Sequence, residues 1–435
     1  MKKILYTLVA LVASMNMSAQ VTRLYKNGNL VAAFNKSQVD EIVFDELEQN
    51  DAVDLGLSVK WAVHNVGAKN PEDAGNYYAW GESIPQASNV YDWSTYKWCN
   101  GSHNSFTRYC TNAAYGLVDN TTSLIYGDDA ALLNLDGLWR MPSKDEMQEL
   151  IDNCIWTWTS KNGTSGYKVT AKNGNSIFLP VTGTRYQGNL NSADWLGTYW
   201  TSDLYGKSND YANYLSFSEN GHGVAFMMRC MGMAIRPVYD KHEYVDLGLS
   251  VKWATCNVGA SLPEGYGDYF AWGETTPQPT NSYSWDSYKW WNASNGTMTK
   301  YCIDSKHGTV DNNTTLELAD DAANVNWKGY WRMPTREEQI ELFQKCTWTW
   351  TTQGNVSGFK VTGPNGNYIF LPAAGQRAYG EAADGGFYWS SSLGSYTDTD
   401  YASYNAYVLY FFSDSSLALD STQRDAGFSV RPVYP

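Results

Sequence analysis

Two neighbouring carboxylates, Asp128-Asp129, recur 192 residues on as Asp320-Asp321. Two carboxylates about 5–10 Å apart can hydrolyse a glycosidic bond, one as acid and one as base or nucleophile. Beyond each pair stand an arginine and a glutamate, Arg140 with Glu146 and Arg332 with Glu338. The glutamates have a complete structural explanation. Ser143-Lys-Asp-Glu146 and Thr335-Arg-Glu-Glu338 are capping boxes, in which the hydroxyl accepts from the N3 amide and the glutamate reaches back to the cap amide. Arg140 and Arg332 are expected to pair with an internal acid, Asp129 or Asp321, because a partly buried guanidinium binds carboxylates bidentately. Helix capping and arginine pairing account for the aspartates as well as catalysis does.

Other chemistry finds few residues. A serine nucleophile needs a histidine base. The five histidines, His64, His103, His222, His242 and His307, share no position between the two halves. No Gly-x-Ser-x-Gly and no Cys/His zinc spacing occurs. Asp119-Asn120 and Asp311-Asn312 offer hard oxygen ligands that suit calcium, or else they are turn residues. No other cofactor is expected, and the ligand set names no metal site. The seven cysteines include two matched pairs, Cys110/Cys302 and Cys154/Cys346. A Cys110–Cys154 disulfide mirrored by Cys302–Cys346 is one arrangement, and four free thiols is the other. A net charge of −14 and a pI near 4.8 argue against a nucleic-acid partner, whose phosphates need clustered Lys and Arg.

The elements that position these residues come in duplicate. Val53-Asp-Leu-Gly-Leu-Ser-Val-Lys-Trp61 returns as 245–253, and Tyr78-Ala-Trp-Gly-Glu82 as Phe270-Ala-Trp-Gly-Glu274, both 192 residues later. Trp200 matches Trp389 at 189, and Arg236-Pro-Val-Tyr239 matches Arg431-Pro-Val-Tyr434 at 195. Only the last quarter of each copy changes length, as surface loops do. The chain therefore divides into residues 1–19, 20–50, 51–239 and 244–435, with a short link between the copies. Residues 1–19 read as a secretion signal: Lys2 and Lys3, an apolar run from Ile4 to Ala13, then Met17-Ser18-Ala19. Without Lys2 and Lys3 the balance is 29 basic to 45 acidic residues, or −16. No later apolar run is long enough to span a membrane. The product is expected to cross the inner membrane and to work in the periplasm, on the surface or outside the cell.

Within 20–50, Asn27-Gly28 marks a β-hairpin, and "VDEIVFD" follows. In each copy the capping box starts a helix whose apolar stripe is Met147, Leu150, Ile151 and Cys154, or Leu342, Phe343 and Cys346. Trp156-Thr-Trp158 and Trp348-Thr-Trp350 alternate like strands. Hairpins turn near Asn173-Gly174-Asn175 and Asn365-Gly366-Asn367, and "SFSENGHGVAFM" forms another. Each copy is therefore α+β, with about two helices and many short antiparallel strands.

In order, "VDLGLSVKWATCNVGA", "YFAWGE", "DDAA", "GYWRMPT", "FLPAAGQR", "YWSSS" and "GFSVRPV" resemble the Fibrobacter succinogenes major paralogous domain family. The resemblance runs along nearly all of both copies. It implies two tandem C-type-lectin-like domains, a fold shared with the formylglycine-generating enzymes. The reactive cysteine pair of those enzymes is missing, since only Cys230 stands near the end of copy one and none near the end of copy two. The Glu-Pro-Asn and Gln-Pro-Asp triplets of calcium-dependent sugar-binding lectins are missing too.

Binding is the role that best fits the remaining residues. Residues 393–427 are dense in Tyr, Ser, Asp and Asn, which give large contact area at low entropy cost and adaptable hydrogen bonds. The expected ligand-binding residues are Tyr396, Asp398, Asp400, Tyr401, Tyr404, Asn405, Asp414 and Arg424. Their counterparts in copy one are Tyr205, Asn209, Asp210, Tyr211 and Asn213. The expected function is non-enzymatic recognition or adhesion, with an extracellular glycan or protein as partner. The alternatives are a carbohydrate-active or protein-modifying enzyme and a structural envelope component. Oligomeric state is left open.

Overall fold

The computed structural model describes residues 21–26, 29–35, 51–135, 138–278, 283–377, 385–394, 402–414 and 416–435. The chain separates into a small unit, Met1–Glu46, and a large one, Leu47–Pro435. In the small unit Val21–Lys26 pairs antiparallel with Asn29–Asn35, and Lys26 lies opposite Asn29. The Asn27-Gly28 turn expected between them lies outside the described residues. The secretion signal and "VDEIVFD" lie outside the described residues.

The large unit holds both copies, built from small antiparallel sheets and, among the described residues, four α-helices. Each copy closes on itself. Lys60–Ala62 pairs with Val238–Tyr239, and Lys252–Ala254 pairs with Val433–Tyr434. Between these ends lie two helices and two meanders. In copy one the helices are α1 (Ala130–Asn134) and α2 (Lys144–Asn153). Copy two has α3 (Ala322–Trp327) and α4 (Arg336–Lys345). The first meander runs Cys154–Lys161, Thr164–Ala171, Ser176–Pro180 and is matched by Thr347–Gln353, Val356–Thr362, Tyr368–Pro372. The second runs Gly197–Leu204, Tyr211–Ser218, Gly221–Met228 and is matched by Gly386–Leu393, Asn405–Phe411, Leu417–Gln423.

Both capping boxes form. Ser143 Oγ accepts from Glu146 N and Thr335 Oγ1 accepts from Glu338 N, while each glutamate accepts from its cap amide at 2.8 Å. In α2, Met147 and Leu150 are buried as the stripe requires, and Cys154 is the C-cap. In α4 the buried positions are Gln339 and Leu342, whereas Phe343 is exposed. Gln339 stands where Met147 stood, and its amide donates to Tyr388 O at 3.0 Å, which keeps a polar residue on the core face.

Four tryptophans in each copy are fully buried: Trp61, Trp80, Trp139 and Trp200, then Trp253, Trp272, Trp331 and Trp389. Two of the four stitch distant segments together. Trp80 donates to Thr201 O at 2.9 Å while Trp200 donates back to Tyr78 O at 2.9 Å. Trp272 and Trp389 repeat the exchange with Ser390 O and Phe270 O, both at 2.8 Å. These four buried indoles each find an acceptor beside the other ring, whereas the N–H groups of Trp61, Trp253 and Trp331 are buried without one.

One arginine per copy locks the closure. Arg236 donates to Asn65 Oδ1 (2.7 Å), Ala62 O (3.0 Å), Val63 O (2.8 Å) and Phe178 O (2.9 Å). Arg431 repeats all four bonds with Asn257, Ala254, Thr255 and Phe370. The guanidinium thus joins the first strand, the first meander and the last strand. Replacing Arg236 with Met leaves four buried acceptors, each costing about 1–3 kcal/mol. We expect R236M to lose at least about 3 kcal/mol in urea denaturation, with R236K recovering only part; a loss under about 1 kcal/mol would contradict the assignment.

Candidate functional site

The paired aspartates are structural. Asp129 caps α1, accepting from Leu132 N at 3.0 Å and from Met141 N at 2.8 Å. Asp321 caps α3 in the same way, through Asn324 N and Met333 N. Burial raises the carboxyl of Asp129 above its usual range and that of Asp321 to about 6. Asp128 accepts from Arg108 at 2.7 Å and from the Tyr109 hydroxyl at 2.5 Å. Asp320 meets Lys300 at 2.7 Å, Lys289 at 3.2 Å and the Tyr301 hydroxyl at 2.8 Å. Burial works to raise Asp320, yet these bonds leave it below the ordinary carboxylate range.

The arginines pair with acids other than the aspartates expected from the sequence. Arg140 forks onto Glu146 at 2.8 and 2.6 Å and also binds Asp240 Oδ1 through Nε at 2.9 Å. Arg332 forks onto Glu338 at 2.7 and 2.5 Å. The cap glutamates thus serve helix and arginine together. Neither aspartate is free to receive a fork, because both its oxygens hold backbone amides.

Asp119 and Asp311 are likewise committed. Asp119 accepts from Tyr109 N, Cys110 N and Thr121 N at 2.8–3.1 Å, and Asp311 accepts from Tyr301 N, Cys302 N and Asn313 N at 2.7–3.1 Å. Among the described residues no three of His, Cys, Asp and Glu gather into a metal-holding group.

Of the thirteen residues read as ligand-binding, Tyr396, Asp398, Asp400 and Tyr401 lie outside the described residues. Three others are corrected by burial. Arg424 is 0 % exposed, held by Tyr301 O at 2.9 Å and Met298 Sδ at 2.8 Å against the rings of Trp272 and Tyr288. Asn209 is buried, and its Oδ1 accepts from Thr111 N at 2.6 Å. Asn213, also buried, donates to Leu204 O at 3.0 Å. Arg424 and Asn209 satisfy loop backbone and Asn213 a carbonyl at the end of a strand, duties that composition does not reveal. Asp414 is exposed in a turn and accepts from Ser416 N at 2.8 Å. Asn405 is half-buried at a strand start opposite Gln423.

The remaining candidates form two aromatic groups. In copy two Tyr404 sits edge-on to Trp285, Trp291 and His307, and its hydroxyl lies 2.8 Å from His307 Nδ1. In copy one the equivalent Asp210 lies 3.6 Å from His103. Beside it, Tyr205 stacks on Phe226 at 4.1 Å between ring centres, and Tyr211 meets Phe226 edge-on at 5.5 Å. Phe226 is 47 % exposed and the two tyrosines are half-buried, so the three rings make a surface ledge. A hydrogen bond from Tyr205 N to Tyr211 O at 2.9 Å closes the loop that carries it. Phe226 was not among the residues singled out from sequence. Its place on a strand opposite Asn213, on the same face as Tyr211, follows from the hairpin register.

Among the described residues the ledge occurs in copy one only. Leu204 and Leu393 pair with Ala212 and Ala406, which aligns Tyr205 with Gly394 and Tyr211 with Asn405. The partner strand aligns Phe226 with Ser421. Copy two is therefore polar where copy one is aromatic.

All seven cysteines are free, and the matched pairs sit in separate places: Cys110 lies within one core cluster while Cys154 packs at the edge of another. Burial pushes Cys346 up to about 11 and raises Cys154, so both react slowly in the folded chain. Alkylation of the unreduced, denatured chain should add seven groups by mass spectrometry; three would establish the two disulfides. No family model, no curated protein and no solved structure matches this chain.

Proposed function

We propose that this is a secreted, non-enzymatic recognition or adhesion protein made of two C-type-lectin-like domains, with copy one binding the face of an extracellular sugar. The observation that carries the reading is the ledge of Tyr205, Tyr211 and Phe226, with Phe226 47 % exposed on an otherwise acidic chain. An aromatic face is electron-rich, and the C–H bonds on one face of a pyranose are electron-poor, so the two stack. Exposed aromatics grouped on a rigid sheet are costly in water unless a partner covers them. The frame supports the fold. In both copies a strand near the start pairs with the closing strand, two short helices precede two meanders, and the second helix carries the capping box. This agrees with the resemblance to the Fibrobacter major paralogous domain family. The divergence between copies lies in the loops and strand faces that such a domain would present, not in the frame.

The test is a glycan array probed with residues 20–435, run with calcium and with chelator. Binding should be indifferent to chelation, because Asp119 and Asp311 already hold backbone amides. Y205A and F226A should each weaken the best ligand at least about tenfold with little change in melting temperature. The change D414A should leave binding intact. Binding retained by both ledge variants, or abolished by chelator, would overturn the reading.

A further inference from the structure

The joint between the two copies holds more acid than base in a space closed to water. Four groups lie there: Asp129 (0 % exposed), Glu146 (4 %), Asp240 (1 %) and Arg140 (2 %). One guanidinium serves the glutamate and the linker aspartate, through Oε1 and Oε2 of Glu146 and Oδ1 of Asp240. The other oxygen, Asp240 Oδ2, is buried without a hydrogen-bond partner. Copy two closes the lid on this cluster. The Tyr330 hydroxyl donates to Asp129 Oδ2 at 2.9 Å, and Tyr330 and Tyr434 pack edge-on against Tyr126. Gly329 lies where any Cβ would collide with Arg140 Nε, so only glycine lets the copies approach this closely. Leu132 and Leu138 of copy one belong to the core cluster of copy two.

The second copy has no such imbalance. At the position of Asp240 it has Pro435, and Arg332 meets one carboxylate, Glu338. The extra acid is thus peculiar to the linker. Ionised, the joint carries three carboxylates and one guanidinium, a surplus of negative charge that low dielectric disfavours.

We propose that the joint is a proton-operated latch, in which Asp240 takes up a proton as the medium acidifies and the two copies then grip more tightly. The groups that face Asp240 define the response. Arg140 draws it towards ionisation, Glu146 and Asp129 oppose that, and Tyr434 of copy two presents a buried hydroxyl that likewise has no partner. Burial, the largest influence, raises the Asp240 carboxyl to about 6, against an unfolded value of 3.8. The folded state therefore binds the proton more strongly than the unfolded chain. This contribution to stability is complete below about pH 4 and is lost as pH rises through about 6. His242, the other titratable linker residue in the joint, stacks on Trp327 at 3.8 Å. Burial lowers it to about 4, so it is mostly neutral at the pH values above about 5 where Asp240 titrates.

Two measurements test the latch on the full chain. The first compares thermal unfolding of the wild type and D240N between about pH 5 and 7. D240N keeps an acceptor for Arg140 and removes the charge. It should melt higher than wild type at the upper pH, with the gap closing at the lower one. Y330F, which leaves Asp240 in place but takes a donor from Asp129, should lower the melting temperature and keep the rise in stability towards lower pH. The second needs no variant: hydrogen exchange of wild-type peptides spanning 126–141 and 327–334, corrected for the intrinsic pH dependence, should show stronger protection at the lower pH. Parallel pH profiles for wild type and D240N, or protection that does not change with pH, would overturn the proposal.

Discussion

A buried guanidinium with no carboxylate to neutralise it is the constraint on which each copy depends. Arg236 and Arg431 are almost wholly buried, and burial lowers both, Arg236 to about 10. Such a charge persists only because its planar fork meets four fixed oxygens. Those oxygens come from the strand that opens the copy, from the asparagine just after it, and from the first meander, while the arginine itself precedes the closing strand. Ends that are 171–177 residues apart in sequence are thereby held at hydrogen-bond distance. Lysine could supply the charge but not the geometry. The tryptophan exchange between the two ends of the copy then has a fixed frame to fill.

With each copy closed, the joint between them becomes possible. The same turn, ahead of the Trp-Arg-Met-Pro phrase, supplies Leu138 in one copy and Tyr330 in the other. Both belong to or pack against the mixed core cluster that spans the junction. The linker is fastened on both sides, Asp240 to Arg140 of copy one and His242 to Trp327 of copy two. Frame residues are therefore held alike in both copies, while the ledge positions are free to differ. Tyr205, Tyr211 and Phe226 against Gly394, Asn405 and Ser421 is the outcome.

How much of this the sequence discloses depends on the range of the interaction. The capping boxes, the Asn-Gly turns and the alternating strands are local, and the structure has them where spacing puts them. Asp240 as a partner for Arg140 is invisible to spacing, because 100 residues separate them. Arg424, Asn209 and Asn213 look like surface residues from their composition, yet they satisfy buried backbone, and only the loop path shows that need. Tyr205 and Tyr211 were legible because a Tyr-rich loop is unusual on a core. Phe226 was not, since a phenylalanine on a strand reads as core until the register shows which end of the sheet it occupies. In α4 the apolar stripe is broken at Gln339, which takes the inward position of Met147 and donates its amide to Tyr388 O, while Phe343 is exposed.

Two repeated copies, each closed by its arginine, are fused into one cooperative body by the joint. Differential scanning calorimetry of the intact chain tests this most directly. The shared core cluster predicts a single main transition for residues 47–435, with a calorimetric enthalpy close to the van't Hoff value. Two resolved transitions, or a calorimetric enthalpy about twice the van't Hoff value, would mean that the copies unfold independently and that the joint is only a contact.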